Sequence, residues 1–186
     1  AEPVRRALPR HPRPYQQEAT DYFFEHAADA SAEGRPLHFQ MACGTGKTFT
    51  YGMIIARDLE THPAGKHVIF VPWRDLARQT EVEMRSFGLT ICVLGDGDTH
   101  MDPAANVVIC VYASAHRVYG QSFRIKIVDE AHHLELRDDS GGYTGLVKTG
   151  VTADLTAYFS ATFHSPYNIN FRYDLDRAVD EGDVTD

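Results

Sequence analysis

From Leu37 onward the chain alternates short apolar runs, rich in β-branched and aromatic residues, with longer stretches of helical periodicity. LHFQM precedes KTFTYGMIIARDLETH, and HVIFV precedes RDLARQTEVEMRSF; TICVL, NVVICVY, RIKIVDE and LTAYFSAT follow. The short runs read as strands and the long ones as helices. Strands separated by helices need crossover connections, and these produce a mostly parallel sheet with helices on both faces. An α/β fold is therefore predicted. At 186 residues and 43% hydrophobic content the chain can bury one such core, and a second full domain does not fit. Ligands in sheets of this class gather beyond the carboxyl ends of the strands, so polar residues that directly follow a strand are the place to look for chemistry.

Ahead of the alternating region, RRALPRHPRP holds four arginines and three prolines, a composition that disfavours helix. Residues 1–14 are predicted to form a flexible basic arm, with order beginning near Tyr15 and a globular domain over 15–186. Residues 16–33 carry Ala19, Tyr22, Phe23, His26 and Ala27 near helical spacing, closed by Gly34 and Pro36. RDDSGGYTG, at 137–145, reads as a flexible loop. The formal charge is −8, which argues against a general basic coat for nucleic acid, although the chain begins basic and ends acidic from Asp174. Both ends read as solvated termini before they read as binding segments. Cys43, Cys92 and Cys110 are odd in number and lack metal-ligand spacing, so neither a disulfide framework nor a zinc site is expected. No apolar run approaches the roughly 20 residues that cross a bilayer, and a soluble, intracellular protein of cytoplasm or nucleus is expected.

Two clusters follow strands. MACGTGKT sits between LHFQM and the next helix. Gly44 and Gly46 let the backbone turn tightly and aim N–H groups at anionic oxygens, and the helix beginning near Lys47 adds its positive end. Lys47 would reach the β and γ phosphates of a nucleotide, and the Thr48 hydroxyl would ligate Mg²⁺. Met41 stands where the general phosphate-loop pattern has its first glycine. The second cluster ends RIKIVDE: Asp129 is placed to associate with the metal and Glu130 to polarise a water. His132 and His133 fit no zinc-binding spacing.

Taken in order, MACGTGKT, DEAH and FSAT resemble the ATP-binding motor domain of superfamily 2 helicases, nearest the DEAH-box translocases related to the helicase subunits of type III restriction enzymes. The resemblance extends over most of the chain from Arg13 onward. In that branch the loop commonly reads M-A-T-G-T-G-K-T, so Met41 is ordinary and Cys43 is the departure. The resemblance implies a RecA-like fold and ATP with Mg²⁺ held by Cys43, Gly44, Thr45, Gly46, Lys47 and Thr48. RPYQQEA is similar to the family's adenine-recognition segment, with Arg13 and with Gln16 as the amide that reads the base; on position alone Gln16 is equally an exposed residue of a first helical turn. VPWRDLARQT resembles a segment that touches nucleic-acid backbone, through Arg74 and Trp73. For Trp73 the alternative is packing at the start of the helix. VICVYASAHR takes the place of a segment usually containing T-Y-Q-S, with Val111 and Ala113 for polar members, so Ser114 and backbone amides are left for phosphate. FSAT implies coupling of hydrolysis to nucleic acid through Ser160 and Thr162, with His132 as receiver, although Phe163 replaces the usual proline. FRYDLDRAVDEGDVTD resembles the segment that closes the first motor domain. In the family a second RecA-like domain supplies an arginine finger, and slow turnover is expected without it.

The expected activity is thus ATP-dependent translocation on nucleic acid, with DNA favoured over RNA by the resemblance alone. A nucleotide-gated binding module without unwinding activity and a small-molecule P-loop kinase are the other readings of these motifs. Oligomeric state leaves no trace in the sequence.

Overall fold

The computed structural model describes residues 6–95, 97, 100–135, 142–173 and 175–182. Among them seven strands form one sheet in the order β3-β4-β2-β5-β6-β1-β7, and every adjacent pair is parallel. The strands are β1 (Leu37–Met41), β2 (His67–Val71), β3 (Ile91–Leu94), β4 (Val107–Val111), β5 (Ser122–Val128), β6 (Thr152–Ser160) and β7 (Phe171–Tyr173). Helices α1 (Pro14–Ala32), α2 (Lys47–Thr61) and α3 (Arg74–Ser86) cover one face. A 3₁₀ segment (Tyr112–Val118), the short α4 (His132–Glu135) and a π turn (Leu146–Gly150) pack on the other, and α5 (Leu175–Asp180) follows β7. The fold is the predicted α/β class.

Burial explains which runs became which elements. All five residues of β2 and of β4 are buried, the near-continuous apolar pattern of parallel strands covered on both sides. Helix α1 starts with Pro14 in its first turn, where a missing N–H costs nothing, and presents Tyr15, Ala19, Phe23, Ala27 and Ala30 to the core. Helix α2 is buried along almost its whole length, between α1 and α3 and with Tyr51 against Phe159 of β6.

The seventh strand was not expected. Phe171 and Tyr173 are buried and Arg172 is exposed, so β7 alternates as an edge strand should, but three residues are too few to signal themselves in sequence. It is held by pairing with β1, by the stack of Tyr173 on Tyr15 at 3.9 Å between ring centroids, and by Ala42 N–H donating to Tyr173 O at 2.9 Å. Of the basic arm, Arg6 N–H donates to Glu60 at 2.9 Å, and Arg10 pairs with Glu83 at 3.0 Å and lies 4.1 Å above the Phe49 ring. Most of the loop expected at 137–145 lies outside the described residues.

A polar network closes the end of the sheet away from the phosphate loop. Buried Asp58 of α2 accepts from His67 Nε2 at 2.9 Å and from Arg124 at 3.0 and 3.3 Å. Burial alone would raise the Asp58 carboxyl, but the His67 and Arg124 hydrogen bonds outweigh it and hold the group below the usual carboxylate range. On β5 the buried Lys126 ammonium donates to the carbonyls of Val147, Lys148 and Val151 at 2.8, 3.1 and 2.8 Å, and burial brings its pKa down to about 8.

Two outcomes follow. Gly52 lies inside α2, where alanine is intrinsically favoured by about 1 kcal/mol. A Cβ there would stand 2.5 Å from the Phe87 ring and 2.9 Å from Met84, so Gly52→Ala is expected to destabilise the fold by about 1–3 kcal/mol in urea unfolding. Asp58→Asn is expected to cost about 3 kcal/mol at neutral pH. Because the folded carboxyl titrates below its unfolded value, its contribution is complete above about pH 4 and lost as pH falls through the folded value, so the variant's deficit should shrink in acid.

Candidate active site

The turn after β1 is built by its glycines and clamped from α1. Gly44 and Gly46 have φ of 78° and 74°, the left-handed region that lets MACGTGKT double back into α2. The Thr45 hydroxyl donates to Ala42 O at 2.6 Å, and the Tyr15 hydroxyl donates to Thr45 O. Gln16 is buried, which removes the exposed-residue reading. Its Nε2 donates to Gly46 O at 3.2 Å and to Thr45 O at 3.4 Å, while its Oε1 accepts the Arg13 N–H at 2.9 Å. Cys43 and Gly44 are exposed at the crest, and Thr48 is partly exposed in the first turn of α2.

The acidic pair arrives at the same rim. Asp129 N–H donates to Phe70 O at 2.9 Å, continuing the β5–β2 ladder one residue past the strand, and the carboxylate is wholly buried. Glu130 then adopts φ 52°, the only positive value at a non-glycine among the described residues, a conformation costing of order 1–3 kcal/mol. That turn brings Glu130 Oε1 into an ion pair with Lys47 Nζ, which also lies 3.4 Å from Asp129 Oδ1. The two clusters thus meet. Asp129 Oδ1 accepts the Glu130 N–H at 2.8 Å, Oδ2 accepts the Tyr51 hydroxyl at 2.9 Å, and Asp129 O accepts the Tyr112 hydroxyl. Burial lowers the Lys47 ammonium, but the two carboxylates outweigh it and its net shift is upward; complete burial pushes the Asp129 carboxyl up against the pull of Lys47. Thr48 and Asp129 each carry only oxygen donors, chemistry that fits a hard cation such as Mg²⁺.

Beside Glu130, His132 Nδ1 stands 3.5 Å from Glu130 Oε2 and 2.6 Å from Ser160 Oγ. Ser160 Oγ donates to Thr162 O at 2.7 Å, so His132 Nδ1 is left as the donor of its contact. Thr162 joins only through its backbone, its N–H reaching Ser160 Oγ at 3.2 Å; the side chain is exposed. Burial, with His133 next, lowers the His132 pKa.

The remaining candidates spread along the same rim. Trp73 is 51% exposed, which a helix-start packing residue would not be, and its ring meets His133 edge-on at 5.6 Å. His133 in turn lies against His132 at 4.2 Å. Arg74 Nε donates to Gly95 O at 2.9 Å, and a Cβ on Gly95 would stand 3.2 Å from Ser114 Oγ, so Arg74 and Ser114 converge on one loop apart from Lys47. Tyr15, Tyr51 and Tyr112 are the participants that sequence reasoning missed. Only Tyr51 left a signal, standing one helical turn beyond Thr48.

The clamp on the phosphate loop can be tested alone. A Cβ on Gly46 would fall 2.6 Å from Gln16 Nε2, in a left-handed conformation that itself costs about 1–2 kcal/mol. Gly46→Ala is expected to destabilise, and Gln16→Ala to relieve the clash. In a double-mutant cycle by urea unfolding the pair should be about 1 kcal/mol or more better than additive.

Comparison with known proteins gives this rim its context. No curated protein sequence matches the chain significantly. Among solved structures, the Sulfolobus solfataricus SWI2/SNF2 ATPase core in complex with dsDNA superposes with TM-score 0.67 at 16% identity, over 87% of this chain and 34% of that one. The Type ISP restriction-modification enzyme LlaBIII bound to DNA gives 0.69 at 19% identity, over 94% and 16%. A nuclease-deletion mutant of the Type ISP enzyme LlaGI in complex with a DNA substrate mimic gives 0.67 at 21%, over 93% and 21%. The chain therefore spans about a third or less of each of these proteins, and at such identities they share its fold. Residues 10–165 match the ResIII family, described as the type III restriction enzyme res subunit. The chain belongs to that family and has a RecA-like fold.

Proposed function

We propose that this domain binds and hydrolyses ATP with Mg²⁺ and couples the cycle to movement on DNA. The observation that carries the reading is the meeting of Lys47 with Asp129 and Glu130 at one rim of the sheet. The glycine-turn amides and the N-terminus of α2 would receive the triphosphate, with Gln16 and Arg13 beside it for adenine and Cys43, Thr45 and Gly46 lining the loop. Thr48 and Asp129 would hold the metal, which when bound neutralises charge on the β and γ phosphate oxygens.

Lys47 has two possible sets of partners, the carboxylates it now touches and a γ-phosphate. In moving to phosphate it releases Glu130, whose carboxylate becomes free to orient a water and accept its proton. His132 lies within reach of Glu130 and is hydrogen-bonded to Ser160, so a displacement at the carboxylate is felt at the Ser160–Thr162 turn. Trp73, Arg74 and Ser114 offer an exposed aromatic and phosphate donors for the nucleic-acid backbone. DNA is favoured because three of the similar structures are held on dsDNA, on DNA or on a DNA substrate mimic. The arginine finger would come from a second RecA-like domain, so turnover by these residues alone is slow.

The test is ATP turnover by this chain and by a longer one, each with duplex DNA, single-stranded DNA or RNA. Stimulation by DNA is expected, and stimulation by RNA alone would reverse the substrate. Glu130→Gln should lower turnover at least about 100-fold while nucleotide still binds. Unchanged turnover in that variant would favour a nucleotide-gated binding module.

A further inference from the structure

Tyr51 is a tyrosine where phenylalanine would fill the same space. Its ring is fully buried on α2, edge-on to Phe159 at 5.4 Å between centroids, and packing alone asks nothing of the hydroxyl. Burying that hydroxyl is costly unless it is paired. Its partner is Asp129 Oδ2 at 2.9 Å, and Thr48 precedes it by one turn on the same side of α2. Tyr51 therefore stands between the two residues read above as ligands of the divalent cation.

The hydrogen-bond directions give this position a use. Asp129 Oδ1 takes the Glu130 N–H at 2.8 Å and Oδ2 takes the Tyr51 O–H, so donors at both oxygens fix the rotation of the carboxylate. The phenol oxygen has spent its proton on Asp129 and keeps lone pairs that can accept the proton of Thr48. A threonine hydroxyl that donates its proton inward leaves its own lone pairs for a cation. We propose that Tyr51 is a positioning residue that links Thr48 to Asp129 and sets their orientation for the divalent cation. Ligand groups oriented by outer partners bind metals more tightly, and losing such a partner typically costs 10–100-fold in affinity. This inference rests on the nucleotide-site reading above.

Tyr51→Phe is the test, because it removes one oxygen and leaves the ring on Phe159. Mn²⁺ serves as an electron-paramagnetic-resonance probe, titrated with a non-hydrolysable ATP analogue, and analogue binding in EDTA is measured separately. The expected result is that half-saturating Mn²⁺ rises about tenfold or more, while EDTA binding stays within about twofold. If half-saturating Mn²⁺ is unchanged, or if EDTA binding weakens by the same factor, Tyr51 is core packing and the proposal falls. If the wild-type chain shows no nucleotide-dependent Mn²⁺ binding, the nucleotide-site reading fails and this proposal with it.

Discussion

The ammonium of Lys47 is the point on which the upper rim of this domain is organised. Its side chain is 14% exposed and faces two carboxylates from a segment 83 residues away. Burying three charges is unfavourable unless each has close partners, so every neighbour that fixes their separation matters. Sheet order supplies the coarse placement: β1 and β5 flank β6, and the loops that leave them open onto the same edge. Side chains supply the rest.

Those side chains come from both ends of the sequence. Tyr15 stacks on Tyr173 while its hydroxyl reaches Thr45 O, so the first helix and the last strand grip the phosphate loop together. On the opposite side of the site, Tyr51 and Tyr112 approach Asp129 through its carboxylate and its carbonyl. The left-handed turn at Glu130 is sustained by this surrounding network and is what aims the second acid at the lysine. The rim is hydrogen-bonded into the fold around Thr45 and Asp129, and exposed where Trp73 and Arg74 face solvent.

The α/β class could be read from the sequence because β2 and β4 are buried on both sides and have no choice but continuous apolar residues. That Lys47 meets Asp129 and Glu130 was legible for a different reason: each cluster directly follows a strand, and the carboxyl ends of parallel strands share one rim. Strand β7 was illegible, since its three residues are strand only through β1 and Tyr15. Tyr51 and Tyr112 were also hidden, because a buried aromatic looks the same in sequence whether or not its hydroxyl has a target. The burial of Gln16 depends on where the loop doubles back, and the positive φ of Glu130 on the network around Asp129; neither is a local preference of its residue type.

Lys126 sits on the strand that leads into Asp129, and its three hydrogen bonds reach the turn that launches β6. One buried cation therefore ties together the two strands whose tips carry the acidic pair and Ser160. Parallel strands pinned in this way cannot slide by a residue without turning each side chain to the opposite face. The height of Ser160 against His132 is thereby gauged from deep inside the sheet, by a lysine that touches neither.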